Sequence, residues 1–530
     1  MPIRMVNDDP NEQDPEDNGN YDNGGGGGRQ ANTGGGGGIG NIFAFLPIVF
    51  GLFGKFPKFT IILLVLGAFM YFKGCSMLSG GGGNGYNNDG GPQTGADFDQ
   101  KEYDKASVFE PLDSDPSKTP LPESVSLLRF APTAKNQGQQ GSCVGWGSAY
   151  AARTILESAA TGQDPNQLCF SPAFLYNQIG LRGCQGSYIN KAMDYMTQQG
   201  ALPFREFLYD ENDCSTRPDQ NQVNRASNYR MRGYTRLTED AGDYAVNFAA
   251  IKQNLAAGAP VVFGMNVPKS FMQGMMGQKV WRANQEDYSG SNSAGGHCMC
   301  LIGYDDSVAG GSFQVMNSWG QEWGQNGVAY VPYKEFMTFT QEAYGVAPMP
   351  KRDGSQNTLA CQIGLVENSS KRYIPLTTTA GNLFKTVSAI PKGTKFKMEV
   401  KNSSECYIYI FGQETDNSSY VLFPYTSKHS PFCAITGVRK FPRKESLQAD
   451  AVGNKDFMAI VVTKSPIDFA KMNGAINASR QPTYQAKVNE ACAQMALQGV
   501  QFAAQNGTIL FKSQASATQA VAMVVEIDKQ

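Results

Sequence analysis

The chain has 530 residues, which suits about three domains and excludes one small domain. It carries 45 basic against 47 acidic side chains, so it has no surplus of positive charge, and we expect no nucleic-acid partner. Only two histidines occur, His297 and His429, and no paired CxxC spacing accompanies them, so the sequence predicts no metal site and no cofactor.

The N-terminal residues differ in composition from the rest of the chain. Residues 1–40 are acidic and contain two runs of five glycines, with almost no apolar side chains. Such a segment buries too little apolar surface to offset the entropy that it loses on ordering. The sequence therefore predicts a disordered tail.

Residues 41–78 form a predicted membrane segment with two apolar stretches, 41–54 and 59–72. Each stretch has 14 residues. As a helix it would reach only ~21 Å of a ~30 Å hydrocarbon core. Residues 59–78, from Phe59 to Leu78, would reach about 30 Å. We therefore expect one transmembrane helix there, with an interfacial hairpin of both stretches or a lipid anchor at Cys75 as alternatives.

Basic residues flank this predicted helix unequally. Lys55 and Lys58 precede it, whereas Lys73 alone lies near its far end. Because cytoplasmic flanks carry the excess of basic residues, the bias places the tail inside and the remaining chain outside. We expect a membrane-anchored protein whose later domains are periplasmic or on a cell surface.

Residues 79–119 are Gly-rich and acidic, and we expect a flexible linker. Hydrophobic periodicity begins near residue 120. It predicts helices over 143–160, 189–196 and 248–255, followed by strands over 261–263, 298–304 and 313–317. Helices followed by a sheet indicate an α+β domain, which we assign to residues 120–350.

Residues 351–530 carry mainly strand signals. Strands are predicted over 396–400, 407–411, 420–423, 457–462 and 520–527, with one helix over 486–497. We expect a mainly-β, sandwich-like accessory domain that binds a protein partner or the substrate. Its four cysteines could form two disulfide bridges, and His429 is expected to be a solvated loop residue.

Four residues of the middle domain point to nucleophilic catalysis. Cys143 opens a predicted helix, where the peptide dipoles would lower the pKa of its thiol and favour the thiolate. Gln137 could join the Cys143 backbone N–H in holding an oxyanion. His297, at the start of a predicted strand, could act as the base, and Asn317 could orient its ring.

These residues stand in three sequence blocks that together resemble the papain-like cysteine peptidases. The blocks are Asn136-Gln-Gly followed by Gly-Ser-Cys143, then Gly-His297, then Asn317-Ser-Trp-Gly-Gln-Glu-Trp-Gly-Gln-Asn-Gly327, in the order of that family. The resemblance covers about residues 121–350. It implies a two-lobed fold, with a helical lobe and a β-sheet lobe on either side of a substrate cleft.

The resemblance also implies a role for each residue. Gln137 would supply the oxyanion donor, Cys143 would attack the scissile carbonyl and His297 would carry the proton. Asn317 would orient His297, and Trp319 would shield their contact from water. The cleft loop would be lined by Gly183, Gln185 and Gly186.

The sequence departs from the family pattern at three positions. Val144 replaces an aromatic residue, Ser187 replaces a glycine of the cleft loop, and Gln140 replaces a cysteine that usually bridges to that loop. Cys184 must therefore pair elsewhere, for instance with Cys214, or stay free. Residues 79–120 are too short and too polar for a helical inhibitory propeptide, so we expect no such zymogen.

The sequence as a whole predicts a membrane-tethered cysteine endopeptidase that hydrolyses peptide bonds through a thioester acyl-enzyme. Its C-terminal domain resembles the β-rich accessory domains of some bacterial surface proteins. Two alternatives stay open. One is a catalytically silent papain-like scaffold that binds partners, and the other is a transpeptidase that passes the same acyl-enzyme to an amine.

Overall fold

A computed structural model of the chain describes residues 3–7, 93–350 and 357–530. The predicted membrane segment 41–78, with its helix at 59–78, lies outside these residues, as do most of the predicted tail and part of the linker. Within the described ranges, no helix combines the length and the apolar character needed to cross a membrane.

A short strand begins the described chain. Strand β1, Ile3–Asn7, pairs antiparallel with Glu445–Ala449 near the other end of the sequence. These residues belong to the predicted disordered tail, and that expectation is wrong for them. The acidic residues and glycines start only after Asn7, so Ile3, Met5 and Val6 are free to add to a sheet edge, and Val6 is buried.

The first lobe of the middle domain is helical. Its helices are α1 Gln100–Tyr103, α2 Cys143–Gly145, α3 Thr154–Thr161, α4 Pro165–Leu168, α5 Pro172–Ile179, α6 Ile189–Gln198 and α7 Gln220–Ala226. A π-helical segment, Trp146–Arg153, connects α2 to α3, so one continuous helical rod begins at Cys143 and ends before Gly162. The helices predicted at 143–160 and 189–196 are confirmed.

The second lobe is built on a seven-stranded sheet. Its strands are β2 Ser124–Ser126, β3 Tyr234–Arg236, β4 Val261–Pro268, β5 Ser293–Asp305, β6 Ser312–Met316, β7 Val328–Pro332 and β8 Thr340–Val346. The order is β3-β8-β4-β5-β6-β7, with β2 beside β5. Three helices accompany it: α8 Phe248–Ala256, α9 Lys269–Gln273 and α10 Tyr333–Phe339.

The two lobes join where the helical rod lies against β5. At Gly147, an added Cβ would come within 2.9 Å of the Cys298 Sγ and 3.3 Å of the Met299 backbone, so the lack of a side chain favours this close approach. Ala149 and Ile155 of the rod share one buried core with Cys298 and Cys300 of β5. The rod that starts at Cys143 is thereby fixed against the strand that carries His297.

The C-terminal region is a β-sandwich. Its strands are β9 Thr358–Glu367, β10 Tyr373–Ile374, β11 Leu376–Thr378, β12 Leu383–Thr386, β13 Lys395–Asn402, β14 Cys406–Gln413, β15 Ser419–Phe423, β16 Phe432–Cys433, β17 Gly437–Phe441, β18 Glu445–Ala449, β19 Lys455–Thr463, β20 Phe502–Gln505, β21 Thr508–Gln514 and β22 Ala520–Asp528. One sheet runs β1-β18-β13-β9-β21-β20 and the other β11-β12-β22-β19-β14-β15. Side chains of both sheets form one core, as the alternating apolar pattern predicts.

Two helices cover the outer face of the second sheet, α11 Phe469–Ala478 and α12 Tyr484–Cys492. The predicted helix over 486–497 therefore ends earlier than expected. The reason is a competing partner, because the Leu497 N–H donates to the Ala520 carbonyl oxygen at 2.9 Å and ties the chain to the start of β22.

The cysteines take different environments. Cys184 and Cys214 form a disulfide, which settles the pairing that the sequence left open. The four cysteines of the C-terminal domain are free thiols, so the two bridges considered above are not formed. Cys361, Cys406 and Cys433 lie in the core between the sheets, whereas Cys492 lies in the layer under the helices.

Candidate active site

The Cys143 thiol lies at the junction of the two lobes. Cys143 is the first residue of α2, and its side chain is fully buried. Its Sγ accepts a hydrogen bond from the Cys298 N–H at 3.4 Å. Since Cys298 directly follows His297 on β5, this bond brings the nucleophile candidate to the strand of the base candidate.

Burial raises the pKa of the Cys143 thiol to about 12. The backbone N–H groups of Cys298 and Val144 act in the opposite direction but are outweighed. The expectation of a lowered pKa is thus wrong for the buried thiol. The free-energy cost of removing a thiolate from water exceeds the stabilisation that the start of a helix gives to its charge.

His297 and Asn317 form the predicted pair. The His297 Nε2–H donates to the Asn317 Oδ1 at 2.7 Å, and the Ser318 N–H donates to the same oxygen, also at 2.7 Å. Trp319 stacks on the imidazole, with ring centroids 4.2 Å apart and planes inclined by 19°. The His297 Nδ1 has no hydrogen-bond partner among the described residues, so the nitrogen opposite Asn317 is free to accept a proton.

Burial also lowers the pKa of His297 to about 4, and the bond to Asn317 offsets this only in part. A thiol with a raised pKa beside an imidazole with a lowered one leaves both groups neutral at neutral pH. While Cys143 and His297 are both buried, the thiolate–imidazolium pair used in nucleophilic catalysis is therefore disfavoured.

Gln137 is fully buried beside the pair. The Ser318 hydroxyl donates to its Oε1 at 2.6 Å, and its own Nε2 donates to the Gln140 carbonyl oxygen at 2.9 Å. The Gln137 N–H also donates to the Ser318 carbonyl oxygen at 2.8 Å. Ser318 was not singled out from the sequence, although it stands between Asn317 and Trp319 in the third block.

A second residue missed by the sequence analysis is Tyr209. Its hydroxyl donates to the Gln137 carbonyl oxygen at 2.7 Å and lies 2.7 Å from the Ser142 hydroxyl. Its ring also packs edge-on against Trp146. Tyr209 therefore links the segment of Gln137 to the start of the Cys143 helix, although 66 residues of sequence separate it from Cys143.

The predicted cleft loop adopts a tight conformation. Gly183 and Gly186 have φ angles of 74° and 114°, a region that favours glycine. The Gly186 N–H donates to the Tyr176 hydroxyl at 3.0 Å, and the disulfide of Cys184 holds the loop from its other side. Gln185 is exposed at the loop surface.

A segment of the chain itself occupies the groove between this loop and His297. We call residues Gln93–Asp97 the strap. On one wall, the Asp97 N–H donates to the Ser187 carbonyl oxygen at 3.1 Å, and the Ser187 N–H donates to the Gly95 carbonyl oxygen at 2.9 Å. On the other, the N–H groups of Gly95 and Ala96 both donate to the Gly296 carbonyl oxygen, at 3.1 and 3.0 Å.

The strap fits closely. A Cβ added at Gly95 would lie 2.1 Å from the Gly141 carbonyl oxygen, so no larger residue fits there. The Trp319 Nε1–H donates to the Gln93 carbonyl oxygen at 2.9 Å. These contacts explain the complete burial of Cys143 and His297. The sequence predicts no helical inhibitory propeptide, and the structure places the extended strap in the cleft.

In residues 93–350 and 357–530, no three His, Cys, Asp or Glu side chains are grouped so that they could hold a metal ion. The chemistry available at the site is that of a thiol, an imidazole and two amides.

Residues 124–347 match the family model described as papain family cysteine protease. This part of the chain is a papain-family cysteine peptidase domain. Residues 389–466 match a model described as a domain of unknown function, DUF4384, and lie within the β-rich C-terminal region.

Individual relatives of the peptidase domain are distant. An uncharacterised peptidase C1-like protein of Acanthamoeba polyphaga mimivirus is 28% identical over 225 residues, covering 40% of this chain and 66% of that protein. Cathepsin K of Mus musculus is 25% identical over 215 residues, covering 39% of this chain and 59% of the cathepsin. The chain thus spans less than two thirds of the length of these relatives.

Among solved structures, xylellain, a cysteine protease from Xylella fastidiosa, aligns with a TM-score of 0.40 and 24% identity, over 49% of this chain and 97% of its own. The family match and the relatives together support a cysteine peptidase, a hydrolase, as the class of the middle domain.

Proposed function

We propose that the protein is a cysteine endopeptidase in which Cys143 is the nucleophile and His297 the general base. The observation that carries the proposal is the convergence of four side chains from separate segments. The thiol of Cys143 lies beside the residue that follows His297, while His297 is bonded to Asn317 and Gln137 to Ser318.

The first step is proton transfer. With its Nε2–H donated to Asn317, His297 presents a basic Nδ1. The Cys143 proton passes to this nitrogen, and the thiolate attacks the carbonyl carbon of the scissile peptide bond. Once the strap leaves, water and substrate dipoles reach both groups, which removes the desolvation that keeps them neutral.

The tetrahedral intermediate carries an oxyanion. The backbone N–H of Cys143 and the Nε2–H of Gln137 are the candidate donors, and the Ser318 hydroxyl fixes the other end of the Gln137 amide. The intermediate collapses as the C–N bond breaks, and His297 gives its proton to the leaving amine. Water, deprotonated by His297, then hydrolyses the thioester and restores the thiol.

The experiment is intact-mass labelling of the full chain with an epoxysuccinyl inhibitor of cysteine peptidases. The variant Gly95→Ala, whose Cβ cannot fit beside Gly141, serves as the open form. We expect one label per chain in Gly95→Ala and none in Gly95→Ala combined with Cys143→Ala or His297→Ala. A folded Gly95→Ala chain that stays unlabelled would contradict the proposal and favour a silent scaffold.

Hydrolysis and transpeptidation share the same acyl-enzyme. Mass analysis of the products of a peptide library, with and without an added amine, separates them. We expect free carboxylic acids as the main products under both conditions. Amide products that dominate when the amine is present would identify a transpeptidase.

Attachment to a membrane through the apolar residues 41–78 is a further part of the proposal, with the peptidase domain outside the cytoplasm. Fractionation of cells that make the full chain, beside a chain whose residues 41–78 are deleted, tests it. The full chain should sediment with membranes and the deleted chain should not.

A further inference from the structure

We propose that the C-terminal domain, residues 357–530, keeps the strap in the cleft and so acts as an internal inhibitor of the peptidase domain. This inference rests on the proposed function. It assigns a role to the domain of unknown function through residues Ser107–Asp113, which we call the anchor segment. The anchor segment follows the strap after nine residues and runs between the two domains.

The anchor segment pairs with both domains at once. On the peptidase side, the Arg236 N–H donates to the Ser107 carbonyl oxygen at 2.9 Å, and the Phe109 N–H donates to the Arg236 carbonyl oxygen at 3.0 Å. On the opposite edge, the Val108 N–H donates to the Lys428 carbonyl oxygen at 2.7 Å. The Ser430 N–H returns a bond to the Val108 carbonyl oxygen at 3.0 Å, so this short strand joins the two domains.

A second group of bonds ties the end of the anchor segment to β17. The Asp113 N–H donates to the Val438 carbonyl oxygen at 2.7 Å, and the buried Arg439 Nε–H donates to the Glu110 carbonyl oxygen at 3.0 Å. The Asp113 carboxylate pairs with the Lys440 ammonium at 2.8 Å, and its side chain is only 6% exposed. An ion pair shielded from water in this way is screened less than a surface pair.

Apolar side chains of the anchor segment bind the domains together as well. Phe109 and Leu112 belong to the core of the peptidase sheet, and Ile435 of the C-terminal domain reaches the same core. The Leu112 N–H donates to the Gln253 Oε1 at 2.9 Å. The anchor segment is therefore buried on both sides, which requires that the C-terminal domain stay docked.

His429 takes part in this docking. The sequence predicts a solvated loop residue, but His429 is only 8% exposed and its Nε2 lies 3.1 Å from the Asp240 Oδ1 of the peptidase domain. The Thr426 hydroxyl contacts its Nδ1 at 3.0 Å. The prediction is wrong because the domain interface buries this loop. Lys444 also lies near Asp240, at 3.6 Å.

Between strap and anchor segment, α1 holds the chain to the peptidase domain, and the Lys428 ammonium of the C-terminal domain donates to the carbonyl oxygen of Asp104, the residue after α1. Tyr103 is buried, and the Ala343 N–H donates to its hydroxyl at 3.3 Å. The strap thus has two supports, α1 and the anchor segment. If the C-terminal domain undocks, the second support is lost. The equilibrium between closed and open cleft then shifts towards the open form by the free energy that this support contributed.

The test reverses the ion pair in the full chain. Asp113→Lys places two ammonium groups together, and Lys440→Asp places two carboxylates together. The double variant Asp113→Lys with Lys440→Asp restores an ion pair. We expect Cys143 to be labelled about tenfold faster or more in each single variant than in the wild type, and near the wild-type rate in the double variant. Gly95→Ala marks the fully open rate, and Gly242→Ala, at a glycine with no atom near its Cβ position, is the neutral control.

Hydrogen–deuterium exchange of the strap gives a readout that needs no catalysis. The N–H groups of Gly95, Ala96 and Asp97 should be protected in the wild type and in the double variant, and should exchange faster in each single variant. Single variants that keep both slow labelling and strap protection would overturn the inference, because α1 alone would then hold the strap. If strap protection is lost while no variant is labelled, the inference stands and the proposed peptidase function fails.

Discussion

Ala96 pairs in parallel with Ser187, and its N–H also bonds to Gly296 on the opposite wall of the cleft. All these bonds come from main-chain atoms. A peptide ligand can offer the same main-chain groups and so compete with the strap, although the close approach of Gly95 to Gly141 restricts one position of that peptide to glycine.

A cleft ligand should therefore exchange places with the strap. When Cys143 is labelled with an epoxysuccinyl peptide, we expect the Asp97 N–H to become accessible to deuterium. The N–H of the buried Tyr103 of α1, which donates to the Asp99 carbonyl oxygen at 2.9 Å, should stay protected. Exchange mass spectrometry before and after labelling measures this. Continued protection of Asp97 in the fully labelled chain would show that the label and the strap occupy different places.

Loss of the Asn317 amide should lower kcat much more than it changes KM. In the Gly95→Ala background, Asn317→Ala leaves the His297 Nε2–H without its acceptor, so the ring loses its orientation. We expect kcat to fall by about 100-fold with little change in KM. Asn224→Ala, on an exposed helix, is the matched control, and an equal fall in both variants would point to damaged folding.

Gln137 and Ser318, which holds the Gln137 amide, should differ in the size of their effect on kcat. Gln137→Ala removes a donor to the intermediate and should lower kcat by roughly 10²-fold in the Gly95→Ala background. Ser318→Ala acts only through the position of the Gln137 amide, and we expect a smaller loss of about tenfold or less. Steady-state kinetics on one peptide substrate, with exposed Gln220→Ala as control, measures both. A larger loss in Ser318→Ala would refute this order.

Stability should depend on pH through Glu342. Burial raises its pKa to about 8, and the Tyr344 hydroxyl that donates to its Oε2 at 2.7 Å lowers the pKa only in part. The folded protein thus holds a proton that the unfolded chain releases near pH 4.5, and the free energy of unfolding falls as pH rises from 4.5 to 8. Glu342→Gln cannot take up or release this proton. Between pH 4.5 and 8, the free energy of unfolding of the variant should therefore rise relative to that of the wild type by about 1.4 kcal/mol per pH unit.

Urea unfolding at pH 5 and pH 8 measures the difference between the two chains. The variant Glu322→Gln, at an exposed acid, is the control and should follow the wild type. His297, whose lowered pKa removes stability as pH falls below about 6.5, is present in every chain and cancels in the comparison. A difference that does not change with pH would mean that Glu342 is ionised in the fold.

The disulfide between Cys184 and Cys214 should stabilise the folded protein. It closes a loop with a sequence separation of 30 residues, for which the loss of chain entropy in the unfolded state suggests about 3–4 kcal/mol. Cys214→Ser should lose this amount in urea unfolding, and reductant should lower the wild type to the same level without affecting the variant. A reductant effect that persists in Cys214→Ser would assign the loss to another disulfide.

The candidate catalytic residues could be located in the sequence because their proposed chemistry depends on the identity of their side chains. A thiol before a helix, a histidine before an apolar strand and an Asn-Ser-Trp-Gly block limit the possibilities to Cys143, His297 and Asn317. The helices and strands around them follow from apolar periodicity, which core packing preserves.

The strap could not be predicted because its contacts leave no side-chain pattern. Gln93–Asp97 binds mainly through backbone groups, with two side-chain bonds, from Gln93 to Gln139 and from Thr94 to the Ala294 carbonyl oxygen. The strap also fits because Gly95 has no Cβ, and a single glycine in a Gly-rich stretch carries no signal. The raised pKa of Cys143 was missed for the same reason, since a helix start is visible in the sequence but burial by a distant segment is not. The docked position of His429 likewise depends on contacts across a domain interface.

The pairing of β1 with β18 limits how the sequence between β1 and residue 93 can cross a membrane. Because residues 3–7 meet residues 93–350 and 357–530 in one folded body, residues 7 and 93 lie on the same side of any bilayer. A single membrane crossing by residues 8–92 is therefore incompatible with this pairing. A lone helix at 59–78 would separate β1 from its partner strand, whereas a hairpin in which 41–54 and 59–72 enter the bilayer together would leave the pairing intact.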